Sequence, residues 1–225
     1  MKKFNFNEHI RELKAASKDK AVRKVNVKKL RKFILIVCEG TKSEPNYFES
    51  FRVRMPRGSL EKVSIVGTGI NTTSLVEYTK GLVAKRQESR LQDFDSVWVV
   101  FDRDSFVKNN VNQAVKMASQ LGYNVALSNE AFELWYILHF EYLDSKNNRK
   151  QYMSKLNQIF KSIGIGKYKK KSEDIYKILQ EYGDEKLASK FARKLESIHK
   201  GKTAEKSKPS TSVYKLVKLL NDYLP

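Results

Sequence analysis

Two aspartates, Asp102 and Asp104, follow an unbroken apolar run in the segment VVFDRDSF, residues 99–106. Residues two apart on an extended chain project to the same side, so both carboxylates would face one ligand while Arg103 points away. Carboxylate oxygens are hard ligands, which Mg²⁺ and Mn²⁺ prefer. Without a cation the two groups would repel each other and raise each other's pKa. The pair therefore predicts a divalent-cation site.

Two glutamates extend this pattern. Glu39 ends a second apolar run, FILIVCEG, and Glu44 follows five residues later. If the strands that end at Glu39 and Asp102 are neighbours, their carboxylates meet at one edge of a parallel sheet, where ligands bind in such folds. Two alternatives remain open for the aspartates: a phosphate-accepting nucleophile at Asp102, or polar residues that cap the next helix.

Apolar runs alternate with amphipathic segments through the middle of the chain. Runs that are apolar on both faces and separated by helices are typical of a parallel sheet buried on both sides. We expect an α/β core with a four-stranded, mainly parallel sheet flanked by helices. Thr41 to Glu44 has the spacing of a capping box. The predicted strands cover 33–40, 62–69, 95–102 and 123–128, and the predicted helices 41–54, 71–87, 107–122 and 130–140.

Positive charge lies mainly in the flanks of the chain. The 225 residues contain 44 Lys and Arg against 25 Asp and Glu. Residues 1–32 hold 12 basic and 3 acidic residues, residues 146–225 hold 20 and 8, and the centre holds 12 and 14. Clustered Lys and Arg bind phosphate backbones through counterion release, so nucleic acid is the expected partner. A solvated basic surface that only maintains solubility is the alternative.

The charge pattern also suggests a division of the chain. We expect a basic arm over 1–30, an α/β core over 31–145 and a basic helical region over 146–225. The region 146–225 carries a cluster of lysines near Tyr168. These lysines would bind a phosphate backbone while the tyrosine ring stacks on a base. The alternative is that this segment is a solvated loop. These lysines are Lys167, Lys169, Lys170 and Lys171, and Arg103 is a further expected contact to nucleic acid.

Membrane and secreted classes do not fit the sequence. No apolar stretch approaches the roughly 20 residues of a membrane-spanning helix, and the first residues lack the apolar core of a secretory signal. Cys38 is the only cysteine, which agrees with a reducing compartment. We expect a cytoplasmic protein without a membrane partner.

Glu133 occupies an unfavourable position for a charge. It lies in FELWYILHF, which as a helix is apolar on nearly every side and should be buried. A buried carboxylate must be paired, protonated or bound to metal, so Glu133 is either a site residue or the partner of a Lys or Arg. His139, in the same segment, is expected to be a hydrogen-bonded structural residue.

Four motifs follow one another along the chain: ILIVCEGTKSEPNYFESF, VFDRDSF, SNEAFELWYILHF and KPSTSVYKLVKLL. Together they resemble the RloB-like family, small Toprim-related proteins encoded near restriction and phage-defence genes. Ser43 stands where the family usually has Thr, and Glu130 where a Pro is common. The resemblance covers roughly residues 31–222 and implies a Toprim-like, Rossmann-like fold.

The resemblance also implies roles for individual residues. Glu39 would be a general acid or base, Asp102 and Asp104 the principal ligands of Mg²⁺ or Mn²⁺, and Glu44 and Glu133 auxiliary ligands. The implied activity is a nuclease that acts on DNA or RNA in antiviral defence, with a possible partner protein from a neighbouring defence gene. A non-catalytic nucleic-acid-binding subunit and a phosphotransferase with Asp102 as nucleophile are the alternatives.

Overall fold

One sheet organises the described part of the chain. The computed structural model describes residues 33–55, 63–103, 110–170, 172 and 174–224. The strands have the spatial order β2-β1-β3-β4-β5, in which β1 to β4 are parallel and β5 is antiparallel to β4. The strands are β1 (Ile34–Cys38), β2 (Val63–Gly67), β3 (Ser96–Arg103), β4 (Asn124–Asn129) and β5 (Ser210–Thr211).

Helices cover both faces of this sheet. A 3-10 turn, Ala204–Lys206, precedes β5. The helices are α1 (Ser43–Arg54), α2 (Thr72–Glu88), α3 (Val111–Gln120), α4 (Glu133–Ile137), α5 (Arg149–Ser162), α6 (Ile175–Tyr182), α7 (Glu185–Ile198) and α8 (Val213–Asn221).

The predicted α/β class with a mainly parallel sheet is confirmed, but the predicted strand number of four is wrong. The fifth strand comes from Ser210 and Thr211. The Ser212 hydroxyl accepts the Leu127 N–H at 2.9 Å, so the segment is fastened to β4 by side chain as well as backbone. Two residues are too few for a strand to be predicted from alternation.

Burial on both faces explains the continuous apolar strands. All five residues of β1 are buried. Ile36 and Cys38 pack in a core with the aromatic residues of α1 and α4, whereas Leu35 and Val37 pack in a second core with α2 and α3. Successive side chains of a strand point to opposite faces, so each face needs its own apolar set.

The helix expected over 130–140 is shorter than predicted. Only Glu133–Ile137 is helical, and the chain turns after it. The His139 carbonyl accepts the Asp184 N–H at 2.9 Å, and a Cβ atom at Gly183 would lie 2.8 Å from the His139 Cβ. This tertiary contact at the junction of α6 and α7 ends the helical stretch. His139 Nδ1 lies 2.9 Å from the Trp135 carbonyl, so the histidine has the structural role expected of it.

The last helix completes the core beneath β4. Leu216, Val217 and Leu220 of α8 are fully buried against α4 and α7 residues of the same cluster. Within the described residues, none of the helices has both the length and the apolar composition required to cross a bilayer. The predicted N-terminal arm lies outside the described residues, and the predicted boundary near residue 145 stays a prediction.

We expect Leu216→Ala to lower the free energy of unfolding by about 2–5 kcal/mol, because it opens a cavity in a fully buried site. The exposed neighbour Lys218→Ala is the matched control and should change this quantity by less than about 0.5 kcal/mol. Urea denaturation followed by circular dichroism measures both. A loss below about 1 kcal/mol at Leu216 would show that α8 is peripheral to the core.

Candidate functional site

Glu39 lies between the ends of two neighbouring strands and the start of a helix. β1 pairs with β3, and the Glu39 N–H continues the ladder by donating to the Val100 carbonyl at 2.8 Å. One carboxylate oxygen of Glu39 accepts the Asp102 N–H at 3.2 Å, and the other accepts the Thr72 hydroxyl at 3.4 Å. The strands that carry Glu39 and Asp102 are therefore adjacent, as the hypothesis of a shared edge requires.

Glu44 lies over the turn that follows β1. It is buried in the first turn of α1, and a Cβ atom at Gly40 would overlap its carboxylate. The capping box predicted for Thr41 to Glu44 is wrong: Lys42 precedes the helix and no side chain caps it. Glycine at position 40 thus leaves the space that the Glu44 carboxylate occupies.

Asp102 points to the same side of the sheet and is paired on only one of its oxygens. Its Oδ2 accepts a hydrogen bond from Arg149 Nη2 at 3.1 Å. Its Oδ1 is buried and has no hydrogen-bond partner among the described residues. Because a buried carboxylate oxygen normally has a partner, this atom is the strongest indication of a ligand at the site. Asp104 lies outside the described residues.

Arg149 is the functional residue that sequence analysis missed. It is the first residue of α5, and Asn148 and Gln151 form a reciprocal capping box that sets where this helix begins. The spacing of the two capping residues could have located the start of the helix. Nothing in the sequence indicates that its first side chain reaches Asp102, which is 47 residues away along the chain.

Glu133 is buried beside a tyrosine of the basic region. The Tyr168 hydroxyl donates to Glu133 Oε1 at 3.1 Å. No Lys or Arg among the described residues forms an ion pair with Glu133. Tyr168 is itself buried and packs edge-on against Tyr136 and Phe160, so neither base stacking nor a solvated loop describes it.

Burial is the main cause of the raised pKa values in this cluster, and repulsion among the carboxylates adds to it. Burial raises the pKa of Asp102 well above its usual value, and the charges of Glu44 and Glu133 raise it further, while Arg149 opposes them. Burial is also the main reason why the pKa values of Glu39 and Glu44 are raised. One arginine is insufficient to offset the charge that the cluster would carry if every carboxylate were ionised.

The negative charge of the described carboxylates suits a cation, but these residues alone do not supply enough ligands to coordinate one. Within the described ranges, no three Asp, Glu, His or Cys side chains stand close enough together to hold a metal ion. A cation at the buried Oδ1 of Asp102 would lower the pKa values that burial and the neighbouring carboxylates raise. The prediction that Asp104 is a ligand remains to be tested.

The predicted basic residues lie in two different places. Lys167, Lys169 and Lys170 are exposed in the loop after α5, and the Lys170 carbonyl accepts the Ser43 hydroxyl at 2.9 Å. The charge of Lys170 lowers the pKa of Glu44, so this loop reaches the rim of the carboxylate cluster. Arg103 lies on the opposite face of β3, 3.7 Å from a Glu205 carboxylate oxygen. Lys171 lies outside the described residues.

A protein-family model described as RloB-like protein matches residues 34–220, which is most of the chain. The chain belongs to the RloB-like family. A search of curated proteins found no match. The matched range contains every acidic and basic residue of the candidate site.

This RloB-like chain departs from its family's usual motif at Ser43 and Glu130, and the structure shows what each side chain contacts. Ser43 keeps a hydroxyl that bonds to the Lys170 carbonyl, and its own carbonyl accepts the Tyr136 hydroxyl at 3.3 Å. Glu130 is fully buried and forms an ion pair with Lys208. Glu130 therefore belongs to a second buried charge pair, which joins the turn after β4 to the segment before β5.

We expect Glu44→Gln to raise the free energy of unfolding at pH 7 in EDTA. A carboxyl whose pKa is raised on folding contributes stability that is complete below its unfolded pKa, about 4.3, and is lost as pH rises through the folded value. The gain should therefore shrink as pH falls toward 4. Urea denaturation between pH 4 and 8 measures it, with the exposed Glu77→Gln as the charge-matched control. A loss of stability at pH 7 would contradict the repulsion.

Proposed function

We propose that this RloB-like protein is a nuclease of the Toprim type, dependent on Mg²⁺ or Mn²⁺, that cleaves DNA or RNA in antiviral defence. The unpartnered Oδ1 of Asp102, buried among carboxylates at the edge of a parallel sheet, carries the proposal. Family membership and the β2-β1-β3-β4 parallel order, with Glu39 and Asp102 on adjacent strands, support a Toprim-like fold.

Asp102 and Asp104 are the proposed principal ligands of the cation, with Glu44 and Glu133 as auxiliary groups. A divalent cation bound there would neutralise charge that develops on the scissile phosphate. Arg149 orients Asp102 through Oδ2 and leaves Oδ1 available. Tyr168 orients Glu133 in the same way by a single hydrogen bond. The ligands would thus be positioned before the cation binds.

Glu39 is the proposed general acid or base. It is half-buried at the mouth of the cluster, and burial is the main cause that raises the pKa of its carboxyl. A raised pKa brings a carboxyl closer to the operating pH, which favours general acid–base catalysis. The Thr72 hydroxyl and the Asp102 N–H hold its two oxygens. This arrangement fixes the carboxylate at the site while leaving it accessible to a proton from water or substrate.

The exposed lysines after α5 are the proposed contacts to the phosphate backbone. Lys170 is close enough to the cluster to act on the charge of Glu44, and Lys167 and Lys169 are exposed in the same loop. Contacts to phosphate position a polynucleotide without reading its bases. Arg103 and Lys171 remain predicted contacts on the same grounds of charge.

A non-catalytic nucleic-acid-binding subunit is the second candidate, because Arg149 already gives Asp102 a cationic partner. In that case the Arg149–Asp102 pair would hold α5 against β3, and the basic surface alone would act. If the protein is a nuclease, removal of the Asp102 carboxylate abolishes cleavage. If it is a binding subunit, the same change leaves polynucleotide binding unchanged and there is no cleavage to lose.

We expect Asp102→Ala to abolish binding of Mn²⁺ in calorimetric titration and to lower cleavage of labelled DNA or RNA by about 100-fold or more. The exposed Asp93→Asn is the control and should retain both properties. Polynucleotide binding by Asp102→Ala, measured by fluorescence anisotropy, should remain within about twofold. Wild-type protein that binds polynucleotide but neither binds Mn²⁺ nor cleaves, even with its neighbouring gene products, would favour the binding subunit.

Gly40→Ala tests whether the position of Glu44 matters for cleavage. The added methyl group would overlap the Glu44 carboxylate, which is the flexible end of a side chain and can move away. We expect cleavage to fall by about 10- to 100-fold while the urea midpoint changes little. The double variant Gly40→Ala with Glu44→Ala should be no worse than Glu44→Ala alone. A further loss in the double variant would mean that Gly40 acts by another route.

A further inference from the structure

A cavity lies on the face of the sheet opposite to the carboxylate cluster, next to β4 and β5. It has a volume of about 720 Å³ and is bounded by α7 and the turn after it, by residues of the segment 204–215, and by side chains from β4 and α3. Leu127 in its wall belongs to the core between the sheet and α2–α3, whereas Asp102 faces the other side. The cavity is therefore separate from the proposed catalytic site.

The wall of this cavity is strongly basic. Arg193, Lys200, Lys202 and Lys215 line it, and Glu196 is its acidic residue. Glu196 is already engaged, because it forms an ion pair with Lys215 and accepts the hydroxyl of Tyr214. Three cationic side chains are thus left to act on whatever occupies the space.

No carboxylate of the described residues pairs with these three cations. Arg193, Lys200 and Lys202 make no ion pair within 4.0 Å in the part of the chain that the structure describes. Lys202 Nζ lies 3.3 Å from Nδ1 of His199, and burial together with the Lys202 charge lowers the pKa of that histidine. His199 therefore accepts from Lys202 as a neutral ring and holds the ammonium group at the cavity.

Part of the cavity wall is apolar. Val115, Val125 and Leu127 present carbon side chains there, and the ring of Tyr214 lies beneath the Arg193 guanidinium at 5.7 Å. A cavity of this size is in the range of ligand sites, which run from about 300 to 1,000 Å³. A ligand that matches both walls has an anionic end and an apolar or aromatic body.

We propose that this cavity binds a small phosphate-bearing molecule of nucleotide size, with Arg193, Lys200 and Lys202 holding the phosphate and the apolar wall holding the body. Guanidinium and ammonium groups are the side chains that bind phosphate most strongly. The proposal does not depend on the nuclease activity, because the two sites share no side chain that either argument uses.

Calorimetric titration of the full chain with ribonucleoside 5′-diphosphates, at physiological salt, tests this site. We expect saturable binding of at least one of the four nucleotides, about tenfold or more tighter than pyrophosphate, because pyrophosphate cannot use the apolar wall. Equal affinity for pyrophosphate, or no saturation at millimolar nucleotide, would overturn the proposal.

The decisive variant replaces the three cations by glutamine: Arg193→Gln, Lys200→Gln and Lys202→Gln. We expect it to weaken nucleotide binding by about tenfold or more. The matched control removes the same charge from exposed lysines outside the cavity and should bind within about twofold of wild type. Its three changes are Lys186→Gln, Lys190→Gln and Lys218→Gln.

Equal weakening in both triple variants would show that net charge, not the cavity, attracts the anion, and would overturn the proposal. A short single-stranded oligonucleotide is the second arm. If it binds with the same dependence on Arg193, Lys200 and Lys202 while free nucleotides do not bind, the phosphates belong to a polynucleotide path and the small-ligand site is wrong. Cleavage by the Asp102→Ala variant plays no part in either arm, so failure here is separable from failure of the proposed nuclease.

Discussion

Negative charge buried at the carboxyl ends of β1 and β3 is the constraint around which this fold is arranged. Asp102 and Glu44 are almost fully buried, and burial and mutual repulsion raise the pKa values of both. Burying an unpaired carboxylate is costly, so a fold keeps such groups together only where something offsets their charge. Arg149 offsets part of it, and a cation at Oδ1 of Asp102 would offset more.

Much of the support for this cluster comes from the second half of the chain. Arg149 reaches Asp102 from α5, and Tyr168 reaches Glu133 from the loop after it. Lys208 pairs with the buried Glu130, and the Thr211 hydroxyl lies 3.0 Å from that of Ser128, the β4 neighbour of Asp102. The basic region is therefore part of the site's construction as well as a candidate surface for phosphate.

The segment from residue 203 to 211 links the two faces of the sheet edge. On one side it supplies the partners of Glu130 and Ser128 beside the carboxylates. On the other, Ala204 and Ser207 line the basic cavity, and Glu205 lies near Arg103. A short strand is enough to hold this segment because side-chain bonds add to its backbone pairing with β4. Asn129 Nδ2 donates to the Ala204 carbonyl at 2.9 Å, and the Thr211 hydroxyl bonds to that of Ser128.

The sequence places Glu39 beside Asp102 only if β1 and β3 are neighbours, and the structure shows that they are. The alternation of strands with helices and the burial of the strands on both faces could be predicted from the sequence, because the side-chain period of a strand is a local property. The short α4, the two-residue β5 and the missing capping box could not, because contacts such as that between His139 and Asp184 override local preference. The same holds for Arg149 and Tyr168. Their partners are distant in sequence, and only the packing of α5 against the sheet edge decides which buried carboxylate each side chain meets.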